Sequence, residues 1–150
     1  MGPPHADPGA APPPPGSTIL VESDMGGGVV VVRFLVDSIW TPSVVDRFGG
    51  DLRGLADRLE RRAGVVLDFT GVEAIVSTGL GWVIRFFKWV RVERGGDVVF
   101  CGLGPWLSEV FRLPGPAPWV IYPGRDEAVA ALRTSSAARP APPGGRTSAP

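Results

Sequence analysis

A chain of 150 residues with 15 basic and 15 acidic side chains has a formal net charge of zero, so no basic field marks it for nucleic acid or an anionic membrane surface. One cysteine excludes an internal disulfide, and a lone histidine in a proline-rich stretch leaves no Cys/His cluster for a metal. No basic segment followed by an apolar run suggests a secretory signal, and the longest apolar candidate, Leu80 to Val92, is broken by Arg85, Lys88 and Arg91, so a soluble, cytoplasmic protein without membrane insertion is expected.

Residues 1–17 are mostly Pro, Gly and Ala, including Pro12-Pro13-Pro14-Pro15. Such a stretch buries too little apolar surface to offset its ordering entropy, so a disordered tail of polyproline character is predicted. Residues 134–150 have a similar composition, and one folded domain is expected over 18–133. Ile19 to Glu22 and Val29 to Leu35 are β-branched apolar runs separated by Gly26-Gly27-Gly28, a hairpin signal. A phosphate cradle at these glycines is a weak reading, because no Lys-Ser/Thr follows and the next element is a strand.

Thr41-Pro42 opens a helix, with Thr41 at the N-cap and proline at the first helical position. Val44, Val45, Phe48, Leu52, Leu55 and Leu59 form its apolar stripe. Gly49, Gly50 and Gly54 each weaken it by up to about 1 kcal/mol relative to alanine, so it depends on packing. Arg61-Arg62 suits the last turn, and Gly64 is expected to stop the helix before a strand at Val65-Val66-Leu67.

Asp68 to Gly71 carry turn chemistry, with Asp68 expected to accept backbone N–H bonds. A second apolar patch, Val72 to Val76, leads to Ser77-Thr78-Gly79 and a helix from about Thr78 to Arg94. Two hydroxyls thus stand at a helix mouth, where free N–H groups and the dipole favour an anion such as phosphate. On residues alone an ordinary N-cap is the favoured reading of Ser77. Leu80, Val83, Ile84 and Phe87 form one stripe of this helix; Trp82, Phe86 and Trp89 form a second on roughly the opposite side. A helix apolar on two faces is covered by a neighbour or by the proline-rich segment 114–118, or else docks a partner. Partner docking is the expectation, since aromatic residues are common interface anchors.

Asp97 to Cys101 read as a strand with a buried structural thiol, Pro105 to Phe111 as a short helix, Trp119 to Tyr122 as a last strand, and Arg125 to Arg133 as a closing helix. The predicted fold class is α/β: a mixed, mostly parallel β-sheet flanked by about four helices. An enzyme is not expected. No convergent acid, base and nucleophile set is present, and Ile75 occupies the first glycine position of a Gly-x-Ser-x-Gly elbow.

Val65-Val66-Leu67-Asp68, Ser77-Thr78-Gly79-Leu80-Gly81, Arg94-Gly95-Gly96-Asp97-Val98-Val99, Gly102-Leu103-Gly104-Pro105 and Arg125-Asp126-Glu127-Ala128 occur in the order and spacing of a known family. In these pieces, spread over nearly the whole predicted domain, the chain resembles a STAS domain, the module of anti-sigma factor antagonists. The resemblance implies a non-enzymatic protein that needs no cofactor and binds an anti-sigma factor serine kinase, regulated by phosphorylation at Ser77, with Thr78 the alternate acceptor and a serine phosphatase as a further partner. The partner interface is expected beside that serine, at Thr78, Gly79, Trp82, Phe86 and Trp89, where the aromatic stripe adjoins it. Val76 stands where the family carries an aspartate, and valine can neither orient a hydroxyl nor engage a kinase's metal. The alternative is therefore an unphosphorylated STAS adaptor or scaffold subunit in a signalling or lipid-transport assembly.

Overall fold

Alternating β-branched side chains decide which elements lie on each face of the sheet. The computed structural model describes residues 15–24, 28–112 and 119–138. Strands β1 (Ile19–Asp24) and β2 (Val29–Phe34) form the expected antiparallel hairpin, with Ile19 opposite Phe34 and Asp24 opposite Val29. Gly26 and Gly27, at its tip, lie outside the described residues, while Gly28 takes φ +69°, a conformation glycine adopts at no steric cost. The chain then passes through β3 (Ser38–Ile39), α1 (Pro42–Arg58), β4 (Gly64–Asp68), β5 (Ala74–Ile75), α2 (Ser77–Lys88), β6 (Asp97–Cys101), α3 (Pro105–Phe111), β7 (Ile121–Tyr122) and α4 (Arg125–Ala138).

Among the described residues the main sheet has five strands in the order β1-β2-β4-β6-β7, parallel except at the β1–β2 pair. A separate parallel pair joins β3 to β5. Val32, Phe34, Val65, Leu67, Val98 and Phe100 point to one side, where they pack with Phe48 and Leu52 of α1, Val83 and Phe87 of α2, and Leu107 and Phe111 of α3. Val29, Val31, Val66, Val99 and Cys101 point to the other, where Ala128 and Leu132 of α4 cover them. Five fully buried phenylalanines (48, 69, 86, 100 and 111) carry much of the first core, each contributing about 1.5–3 kcal/mol by burial.

Several expectations need correction. α1 ends at Arg58, so Arg61-Arg62 lie in the following turn. There Arg62 takes φ +65° and its N–H bonds the Arg94 carbonyl at 2.7 Å. Gly64 is the first residue of β4 rather than a helix stop. The long helix is α up to Lys88 and then widens into a π-helical turn, Trp89–Glu93. Trp119 is not in a strand; its ring packs edge-on against Phe87 and Phe100, with centroids at 5.0 and 4.9 Å. The closing helix runs past Arg133 to Ala138. Residues 1–14, 113–118 and 139–150, and with them most of both expected tails and the proline-rich cover, lie outside the described residues.

Candidate functional site

The site begins where β4 ends. The buried Asp68 carboxylate accepts the Thr70 N–H at 3.0 Å and the Thr70 hydroxyl at 2.7 Å, the Asx turn expected of it. The chain reverses at Gly71, where φ is +88°, and buries Phe69 and Val72 as it returns. The Glu73 N–H then donates to the Asp37 carbonyl at 2.7 Å and the Val76 N–H to the Ile39 carbonyl at 2.9 Å. These bonds flank the β3–β5 pairs Ser38–Ala74 and Ile39–Ile75. A two-residue ladder thus fixes the point from which α2 departs. Hydrophobic patterning alone misses such short strands, and the apolar patch at Val72 to Val76 is their sole trace in the sequence.

Val76, not Ser77, is the N-cap of α2: its backbone is extended, at φ −85° and ψ 161°, and no side chain caps the helix. Its carbonyl accepts the Leu80 N–H at 3.0 Å. Ser77 is the first helical residue, exposed like Thr78 beside it. Neither hydroxyl has a hydrogen-bond partner among the described residues. The ordinary capping role considered for Ser77 is therefore absent, and the first-turn N–H groups remain available to an anion. Glu73, the acidic residue nearest Ser77 in sequence, does not hydrogen-bond its hydroxyl. Gly79 is buried, and a Cβ there would lie 2.9 Å from side-chain carbons of both Ile39 and Ile75. It lets the first turn settle onto the β3–β5 ladder and is no part of an exposed interface.

The second aromatic stripe is divided. Phe86 is fully buried, which removes it from any surface. Trp82 and Trp89 are half-buried against α1, where Trp82 lies over Gly49 and the Arg53 guanidinium sits 4.9 Å from the Trp89 ring centroid. A neighbouring helix thus covers most of this face, and α1 does so because its glycine leaves room for an indole.

What stays open lies between the start of α1 and the first turns of α2. A groove of about 570 Å³ is lined by Trp40, Pro42 and Val45 on one side and by Val76, Thr78 and Trp82 on the other, with Asp46 and Arg85 among its polar residues. Trp40 is 53% exposed. The Arg85 guanidinium stacks 4.8 Å from the Trp82 ring. Of the residues expected to meet a partner, the structure places Thr78 and Trp82 together on this groove, and Ser77 stands in the chain between the lining residues Val76 and Thr78. Trp40 is the contributor missed from sequence; its place just before the Thr41-Pro42 helix start was the available clue.

Cys101 lies at the far end of β6, buried, and its thiol is pushed up to about 12 by burial and by the neighbouring Asp68 carboxylate. It is the unreactive thiol its apolar strand predicts. Among the described residues no three His, Cys, Asp or Glu side chains gather where a metal could bind, and no helix is long and apolar enough to cross a membrane.

The profile of the STAS domain family matches residues 43–128. BtrV of Bordetella bronchiseptica, whose name gives it provisionally as an anti-sigma factor antagonist, is 34% identical over 93 residues, 60% of this chain and 76% of the relative. In fold, the chain resembles an anti-sigma-factor antagonist (STAS) domain protein from Planctomyces limnophilus, with a TM-score of 0.67 and 20% identity over 77% of this chain and 98% of the other. It also resembles the phosphorylated form of the Bacillus cell fate determinant SpoIIAA, with a TM-score of 0.57 and 17% identity over 75% of this chain and 96% of the other.

Proposed function

The chain belongs to the STAS domain family, and on that premise we propose that it is a non-enzymatic anti-sigma factor antagonist, working in the cytoplasm and switched by phosphorylation of Ser77. Unphosphorylated, it binds a serine kinase that restrains a sigma factor, and the sigma factor is released for transcription. The observation that carries this reading is the placement of Ser77, an exposed hydroxyl on the first residue of α2 beside a tryptophan-lined groove.

The chemistry divides between the two proteins. The kinase holds ATP and magnesium; this chain supplies the acceptor oxygen, which attacks the γ-phosphorus as ADP leaves and the hydroxyl proton passes to the kinase. The phosphoserine adds about −1.5 to −2 charges at the contact. In a desolvated interface built for a neutral hydroxyl, that charge weakens the complex. A serine phosphatase restores the binding form. Incubation with its cognate anti-sigma kinase and ATP should add one phosphate, lost in Ser77→Ala. Labelling that survives in Ser77→Ala and vanishes in Thr78→Ala would move the switch to Thr78.

A second reading is favoured by Val76, which puts an apolar side chain in the groove at the family's aspartate position. On that reading the chain is a STAS adaptor in a signalling or lipid-transport assembly with no phosphate cycle. Absence of labelling by any candidate kinase would support it.

A further inference from the structure

Among the described residues the main sheet ends on one side in β7, two residues long, and on the other in β1, six residues long and paired only with β2. The register shows which main-chain groups of β1 face outward. The Leu35 N–H donates to the Thr18 carbonyl at 2.8 Å, so these two residues form a bonded pair. Bonded and non-bonded pairs alternate along an antiparallel ladder. Leu20–Arg33 and Glu22–Val31 are therefore bonded pairs of the hairpin, and the N–H and C=O groups of Ile19, Val21 and Ser23 point away from β2 into the open edge. The chain before β1 is drawn off that edge onto α1: the Arg47 guanidinium donates to the Gly16 carbonyl, and the Asp51 carboxylate accepts the Thr18 N–H and hydroxyl.

Exposed strand edges are ordinarily guarded by proline, lysine or a bulge. The register of β1 is unbroken from Ile19 to Asp24, and the strand contains neither residue. Of its two acids, Asp24 ends the strand and Glu22 is held by Arg125 of α4. Beside the edge, Leu20 and Val21 are half-buried and Leu35 is 45% exposed. We propose that a second copy of this chain pairs with β1 along this edge, antiparallel about a two-fold axis at Val21. Self-complementarity selects that occupant. Centred on Val21, the pairing sets Ile19 of each copy opposite Ser23 of the other and exchanges about six N–H···O bonds. Leu20 of each copy then lies opposite Glu22 of the other, so no two acids face each other directly. A ladder this short buries less than the about 1,600 Å² of a standard interface, so the dimer is weak, populated at about 100 μM protein and above. This inference does not rest on the anti-sigma antagonist reading.

Sedimentation velocity of the full chain from about 10 to 500 μM tests it with wild type, Val21→Pro, Val21→Lys and Val21→Glu, circular dichroism checking each fold. Val21→Pro removes an N–H that makes no bond within the sheet, and proline is tolerated at such edge positions. Each charged variant sets like charges opposite one another across the two-fold axis. The expected results are a wild-type mass that rises toward the dimer with concentration and self-association weakened about ten-fold or more in each variant alone. Mixing the lysine and glutamate variants should restore the dimer, which decides the question even if Val21→Pro folds poorly. A wild type that is monomeric at every concentration would overturn the proposal, as would a dimer that all three variants leave intact. A monomeric wild type whose kinase binding is lost in folded Val21→Pro would also overturn it, because the edge would then take a strand of the kinase.

Discussion

Gly49 and Gly50 are adjacent glycines within α1, and the fold predicts opposite consequences for the same substitution at each. A Cβ on Gly50 meets nothing within 4 Å, so Gly50→Ala should gain the helix-propensity difference, about 0.5–1 kcal/mol. A Cβ on Gly49 would lie less than 3.0 Å from three indole atoms of Trp82. That indole cannot swing freely, because Arg85 stacks on it and Trp89 lies 6.4 Å away. Overpacking of this kind costs about 1–3 kcal/mol, offsetting the propensity gain and more. The two variants should therefore differ by about 1–3 kcal/mol, or about 1 M in urea midpoint for a domain of this size. Urea melts followed by circular dichroism measure the gap. The double variant Gly49→Ala/Trp82→Ala supplies the coupling: removing the indole should return most of the Gly49→Ala penalty. Equal stability of Gly49→Ala and Gly50→Ala would refute the packing of α2 onto α1 through this glycine.

The remaining expectations separate core from surface. Phe86→Ala should cost about 3–5 kcal/mol in a denaturant melt, whereas Trp40→Ala should stay within about 0.5 kcal/mol in folding and weaken partner binding in a titration. Cys101 should resist alkylation by iodoacetamide in the native state at pH 8. Its thiol rises from 9.0 to about 12 on folding, so it binds its proton more tightly when folded. The stability this gives is fully present below pH 9 and is lost as pH rises toward 12. Wild type should therefore lose more stability than Cys101→Ala as pH rises from 8 to 11, and equal slopes would count against the buried thiol. Limited proteolysis should trim the proline-rich ends and leave a resistant fragment that keeps α4 to Ala138; uniform digestion would overturn that boundary.

Much of this fold was legible because its long elements announce themselves. The stripe Val45, Phe48, Leu52 and Leu55 has one period and the runs of valine in β2 and β4 another. Asp68 also behaved as its turn chemistry foretells. The ladder of β3 and β5 was not legible, because two-residue strands have no period, and their pairing is a property of the fold around them. The same holds at the site. Ser77 and Thr78 were found from a family motif, yet whether an aromatic on α2 faces a partner or a neighbour depends on Gly49, a residue in another helix. A glycine there appears in sequence only as a weak point of α1. Trp40 escaped notice because it falls between elements, and a groove wall is built from residues that no single periodicity joins.

The central claim is that this chain frees a sigma factor by binding its kinase, and that phosphate on Ser77 ends that activity. Reconstitution tests it most directly: the sigma factor and its anti-sigma kinase are assembled, and release of the sigma factor is followed as this protein is added. Unphosphorylated protein should displace the sigma factor in proportion to its concentration. Protein phosphorylated at Ser77 should displace little, with activity restored by a serine phosphatase. Equal displacement by both forms would contradict the switch, and no displacement by either would contradict the function.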